Sequence, residues 1–113
     1  MNLDDIEQLP IFDEISTKSM RTFLGDEFNV IVDEFKTSTP ALLVALKLAA
    51  ENGRHEEIID ISHRLKSGSG NLGLSAFSTV CQYLEEGLRD GLELNIDQII
   101  NAIDNQFERI INS

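Results

Sequence analysis

Apolar residues recur at spacings of three and four over most of the chain, and strict alternation is nearly absent, so the pattern predicts an all-α protein. The first fifteen residues lack that period and read as an irregular lead-in ending at Pro10-Ile11-Phe12. A short helix is expected over Thr17–Leu24, capped by Ser16, stopped by Gly25 and turning Met20, Phe23 and Leu24 toward the core. Asp26 can cap the next helix, whose apolar positions Phe28, Ile31, Phe35, Thr39, Leu42, Leu46 and Ala49 hold one phase across Pro40. A break at the proline would reset that phase. The pattern therefore predicts one long helix over about Glu27–Glu51, bent near Pro40 where an N–H is missing and the ring crowds the preceding turn. Two helices meeting at Thr39-Pro40 are the alternative. Asn52-Gly53 then offers a left-handed C-terminal stop.

The third long pattern, from His55 to Gly70 or Asn71, places Ile58, Ile61, Leu65, Gly68 and Leu72 on one side. At about 100° per residue, the opposite side gathers Glu56, Ile59, Asp60, His63, Lys66, Ser67 and Gly70, so the histidine points away from the core. Leu72-Gly73-Leu74 makes a tight link, after which Ser75 can cap a helix to about Asp90 that buries Phe77, Val80, Cys81, Leu84 and Leu88. So short a link favours antiparallel packing of these two helices. Gly91-Leu92-Glu93-Leu94 leads to Asn95, which with Gln98 suggests a capping box ahead of a last helix with the stripe Ile96, Ile99, Ile100, Ile103, Phe107 and Ile110. The expected architecture is an antiparallel up-and-down four-helix bundle with a short additional N-terminal helix across one end. Residues 1–15 would be the lead-in and residues 16–113 a single domain.

Size and charge narrow the partners. A chain of 113 residues is one domain by length and too small for a nucleotide fold plus a substrate domain. With 20 acidic and 9 basic residues the net charge is −11, and no basic stripe exists to displace counterions from a phosphate backbone, so nucleic acid is a poor partner. The longest apolar stretch, Ala41–Ala50, contains Lys47 and is far short of the roughly 20 residues that span a bilayer. The start, Met1-Asn2-Leu3-Asp4-Asp5-Ile6-Glu7, lacks the positive charge and apolar centre of an export signal. A cytoplasmic monomer is expected, and Met1 and the compact length fit a free-standing protein. Cys81 is the single cysteine, has no disulfide partner and reads as a small buried apolar side chain.

One run stands out chemically: His63-Arg64-Leu65-Lys66-Ser67-Gly68-Ser69-Gly70-Asn71-Leu72-Gly73. A lone surface histidine is ordinarily a solvated side chain. Here a lysine follows one turn later, and then a clearing of small residues. Interior helical glycine costs roughly 1 kcal/mol relative to alanine, so Gly68 and Gly70 call for a compensating reason. Gly68 on the buried side would let another helix approach, and Gly70, nearly in line with His63, would leave a saddle over the imidazole. Gly68-Ser69-Gly70-Asn71-Leu72-Gly73 also fits G-x-G-x-x-G, but that fingerprint needs a preceding strand and a βαβ unit, and neither is in prospect. His55 and His63 are two turns apart, too far for paired metal ligation, so no metal or cofactor site is expected in this chain.

The same run, continued by Leu74 and by Cys81-Gln82-Tyr83-Leu84-Glu85, resembles the histidine-containing phosphotransfer domains of bacterial and fungal phosphorelays. Leu9-Pro10, Gly25-Asp26-Glu27-Phe28 and Phe35–Leu46 with Pro40 support the likeness, which extends over nearly the whole chain. The resemblance implies a phosphorelay intermediate, a carrier with no ATP site of its own, whose His63 exchanges a phosphoryl group with receiver aspartates. It makes Lys66 the phosphate-stabilising lysine and Gly70 the small residue that admits a receiver. The implied partners are receiver domains of response regulators and of a hybrid sensor histidine kinase, with Mg2+ on the receiver.

Phosphoryl transfer needs an in-line nucleophile, charge stabilisation on the equatorial oxygens and exclusion of water. A neutral imidazole is nucleophilic and makes a labile phosphoramidate, and Lys66 at i+3 can offset phosphoryl charge. Glu85, on the edge of the neighbouring helix, could accept from one ring nitrogen and fix the tautomer, with Gln82 as the second candidate. Ile59, adjacent to His63 on the exposed face, would belong to a receiver-docking patch. Ser67 stands where the family usually has glycine, with Gly68 after it; the swap puts a hydroxyl on the histidine side, where it could donate to the phosphoryl group. The rival reading is a helical docking or adaptor module for a kinase or receiver that never carries phosphate; an autonomous ATP-dependent kinase is a distant third.

Overall fold

The computed structural model describes residues 2–113, and Met1, the first residue of the expected lead-in, lies outside the described residues. Among the described residues six helices run: α1 Leu3–Glu7, α2 Glu14–Leu24, α3 Glu27–Glu51, α4 His55–Asn71, α5 Ser75–Arg89 and α6 Ile96–Ile111. Among the described residues there is no strand. The four long helices touch in a closed ring, α3 on α4, α4 on α5, α5 on α6 and α6 on α3. One continuous cluster of buried side chains fills the ring. At its centre Phe35, Phe77 and Phe107, from three different helices, meet with ring centroids 5.5 to 6.3 Å apart, within the range for favourable aromatic pairs.

The long helix α3 passes unbroken through Pro40, as its single apolar phase requires. Its buried stripe is Phe28, Val32, Phe35, Thr39, Leu43, Leu46 and Ala49; Ile31 and Leu42, assigned to the core from spacing, flank it half-buried. A single helical stripe is wide enough that neighbouring apolar positions compete for its centre. Gly53, Gly73 and Gly91 take left-handed φ values of 64°, 74° and 74° in the three links between the long helices, where only glycine avoids the Cβ clash.

The N-terminal region departs most from expectation. The lead-in contains α1, which Asn2 caps through its side-chain oxygen and which buries Ile6 against α5 and α6. The next helix starts at Glu14, three residues before the expected point, because Asp13 and not Ser16 caps it; Ser16 Oγ instead donates to Asp13 Oδ2 at 2.7 Å. Phe23, expected in the core, is 88 % exposed, and the buried residue of α2 is Thr17. Two other expected caps are absent: neither Asp26 nor Ser75 makes a side-chain capping bond to α3 or α5. Asn95 does cap α6, accepting from the Gln98 N–H at 3.1 Å. No helix among the described residues is long and apolar enough to cross a membrane.

Candidate functional site

The site grows from the packing of α4 on α5, the most extensive helix contact in the molecule. The buried stripe of α4 is Ile58, Ser62, Leu65 and Ser69, continued by Leu72 beyond its end. Ile61 is therefore only half-buried, and Gly68 is exposed with open space where a Cβ would stand. Gly68, expected on the buried side at a helix contact, is therefore not the glycine that lets another helix approach. A Cβ on Gly70 would lie 3.3 Å from Ser78 Oγ of α5, so Gly70 is the glycine at a close approach between helices. Ser78 Oγ in turn donates to the Lys66 carbonyl at 3.3 Å, and the buried Ser69 hydroxyl donates to the Leu65 carbonyl at 2.6 Å. Small residues after Lys66 let α5 come near and bind that stretch of backbone.

His63 is half exposed on the outer side of α4, its side chain 53 % accessible. Its Nδ1 lies 2.9 Å from Glu85 Oε2. Glu85 stands on α5 but not at the helix edge: its side chain is wholly buried, a correction to the position expected from spacing. A buried carboxylate persists only with compensation, and three groups supply it. Besides His63, Arg89 Nη1 lies 2.9 Å from the same Oε2, and Lys66 Nζ lies 2.7 Å from Oε1. The Lys66 contact is an ion pair rather than a well-directed hydrogen bond, since Oε1 has no partner of hydrogen-bonding geometry. Burial alone would raise the Glu85 pKa, but the close contacts of Lys66 and His63 outweigh it and hold the carboxyl below its ordinary value.

That protonation state fixes the tautomer. An ionised carboxylate can only accept, so Nδ1 of the neutral ring carries the hydrogen and donates it, and Nε2 is left as the nitrogen with a free lone pair. The arrangement can present a nucleophilic imidazole, hold its second nitrogen, and offset positive charge that develops on the ring.

The remaining candidates fall out as follows. Lys66 is beside the histidine as expected, yet it is engaged with Glu85. Gln82 is exposed and donates to Glu86 Oε1 at 2.9 Å. Ile59 is half-buried, whereas Ser67 and Gly70 are exposed on α4 near His63. Arg89 is a member of the site that sequence reasoning misses; its spacing of four from Glu85 is the available signal, because that places both on one face of a helix. Cys81 is buried, and burial pushes its thiol up, away from reactive thiolate. Among the described residues no cluster of three His, Cys, Asp or Glu side chains could hold a metal ion.

Comparisons with known proteins bear on the family and the fold. The crystal structure of histidine-containing phosphotransfer protein B (HptB) from Pseudomonas aeruginosa PAO1 superposes with a TM-score of 0.82 at 26% sequence identity, covering 89% of this chain and 88% of that one. Curated proteins gave no match. The family model of the Hpt domain matches residues 30–113, which include α4, α5 and every member of the His63–Lys66–Glu85–Arg89 cluster, and the chain therefore belongs to the Hpt domain family.

Proposed function

We propose that the chain is a phosphorelay intermediate that accepts a phosphoryl group on His63 from one receiver aspartate and passes it to another. The observation that carries this reading is the 2.9 Å bond between Nδ1 of a half-exposed histidine and a wholly buried glutamate. In the transfer, the Nε2 lone pair attacks phosphorus, the N–P bond forms, and the P–O bond to the aspartyl carboxylate breaks with its electron pair leaving on that carboxylate. The ring acquires positive charge while its Nδ1 hydrogen stays in place. Glu85, already hydrogen-bonded to that nitrogen, stabilises the charge without having to move. Lys66 exchanges its contact with Glu85 for the phosphoryl oxygens. The onward step is the reverse, with a second aspartate as the nucleophile.

In this reading the ring of α3–α6 is an antiparallel up-and-down bundle forming one domain, with α1 and α2 attached to it. The molecule is a cytoplasmic monomer and a carrier without an ATP site. Its partners are receivers of a response regulator and of a hybrid sensor kinase, which bring the Mg2+ and dock over Ser67, Gly70 and the partly exposed Ile59. Incubation with a phosphorylated receiver should place acid-labile, base-stable phosphate on the chain, and His63→Gln should take none. Equal phosphate on the variant would leave only a docking module whose histidine is incidental.

A further inference from the structure

Glu85 Oε2 accepts from His63 and is ion-paired with Arg89 at the same distance, and Arg89 has no part in the chemistry described so far. Arg89 Nη1 and His63 Nδ1 each lie 2.9 Å from that oxygen. We propose that Arg89 is a positioning residue: it holds the Glu85 carboxylate against His63 and keeps that carboxylate compensated when Lys66 turns to the phosphoryl group. This rests on the phosphorelay reading above.

Charge counting at the buried carboxylate leads there. In the resting arrangement one anion has Lys66 at 2.7 Å and Arg89 at 2.9 Å. A phosphoryl group arriving on Nε2 brings new negative charge, and Lys66 cannot serve both anions at close range. Without a second cation, the departure of Lys66 would leave the wholly buried carboxylate with only the imidazole for compensation, a costly state. The carboxyl could then pick up a proton and lose its obligation to accept from Nδ1. Arg89 removes that outcome because a guanidinium stays charged at any working pH. It is also well placed to stay behind: it follows Glu85 by four residues on α5, at the last position of that helix, where the carbonyl ends favour a cation. The helix end is itself pinned, since Gly87 packs so closely under Leu94 that a Cβ there would lie 2.6 Å from Leu94 Cδ1. Gln82 and Glu86, the nearby polar residues of α5, bond to each other and leave Arg89 to Glu85.

The test crosses Arg89→Gln and Arg89→Lys with Glu85→Gln. Two quantities are read: the ring 15N shifts of His63 at alkaline pH, which report where the ring hydrogen sits, and the rate of phosphoryl uptake from a phosphorylated receiver. Arg89→Gln should move the shifts toward a tautomer mixture and slow uptake by roughly 3- to 10-fold, the size expected of a partly exposed charged partner. Arg89→Lys should recover most of both, because a single contact from Nη1 is all the geometry uses. In the Glu85→Gln background, Arg89→Gln should change uptake by less than about twofold, as coupling through a shared partner requires. An equal slowing in both backgrounds would mean that Arg89 acts directly on phosphoryl or receiver and would overturn the proposal. So would ring shifts that ignore Arg89→Gln. If the parent chain takes no phosphate, the relay reading fails, and the ring shifts still decide whether Arg89 orients His63.

Discussion

Replacing Glu85 by glutamine keeps the shape of the side chain and removes its charge, which separates the chemical contribution of the carboxylate from its packing. An amide oxygen can still accept from Nδ1–H, but the bond is no longer charge-assisted. Charge-assisted hydrogen bonds contribute about 1.5–3 kcal/mol against roughly 0.5–1.5 kcal/mol for neutral ones. The loss at His63 as its ring becomes positive is therefore about 1–2 kcal/mol, or a 5- to 30-fold slower phosphoryl transfer. Folding stability should change less than that would suggest. The glutamine escapes the desolvation cost of a wholly buried anion, and the cations left behind are not sealed in: the Lys66 and Arg89 side chains are 25% and 56% accessible and can turn to water. A change within about 2 kcal/mol is expected. The assay is a pair of measurements, transfer kinetics from a phosphorylated receiver and urea unfolding on the same preparation. A variant that transfers within twofold of the parent rate would refute the argument, as would a rate loss that merely follows the unfolded fraction.

Three further outcomes follow from other parts of the molecule. Because the Glu85 carboxyl is held below its ordinary value, its stabilising contribution is complete above the unfolded-state pKa of about 4.3 and is lost as pH falls through the lower folded value. In urea titrations between neutral and acid pH, the parent should lose stability relative to Glu85→Gln on acidification; a difference that stays constant or grows would contradict this. Gly68→Ala should stabilise the fold by about 0.5–1 kcal/mol, since a Cβ there meets open space, while Gly70→Ala should gain less or lose stability because its Cβ would lie 3.3 Å from Ser78 Oγ. Thermal unfolding of the two variants gives the comparison, and the opposite order would refute the helix contact assigned to Gly70. Gly73→Ala should be destabilised by more than about 1 kcal/mol, combining a φ of 74° with a Cβ only 2.7 Å from Thr17 Oγ1; an unchanged melting temperature would show that the turn relaxes freely.

The elements that a periodic pattern can mark are legible in the amino-acid sequence: α3 through Pro40, α4 from His55 to Asn71, and the exposure of His63 opposite the Ile58–Leu65 stripe. What escapes it is set by contacts between distant segments or by pieces too short for a period. The five residues of α1 cannot display amphipathicity, although Ile6 is buried. The start of α2 is hidden because Ile15, at its first turn, is 82 % exposed and breaks the expected apolar spacing. Spacing places Glu85 at a helix edge, since charged residues are almost never fully buried unless paired. The pairing itself is invisible in sequence: two of its partners, His63 and Lys66, come from α4, and the third, Arg89, gains meaning only once Glu85 is known to be buried. For the same reason spacing alone leaves Lys66 waiting for phosphate, when a carboxylate holds it in the folded chain.

The central claim is that His63 passes a phosphoryl group between two receivers. The most direct measurement mixes a labelled phospho-receiver with a second, unlabelled receiver and follows the label with and without this chain. The account predicts that label reaches the second receiver only when the chain is present with His63 intact. Label crossing equally fast with His63→Gln, or stopping on the chain and never moving on, would contradict it.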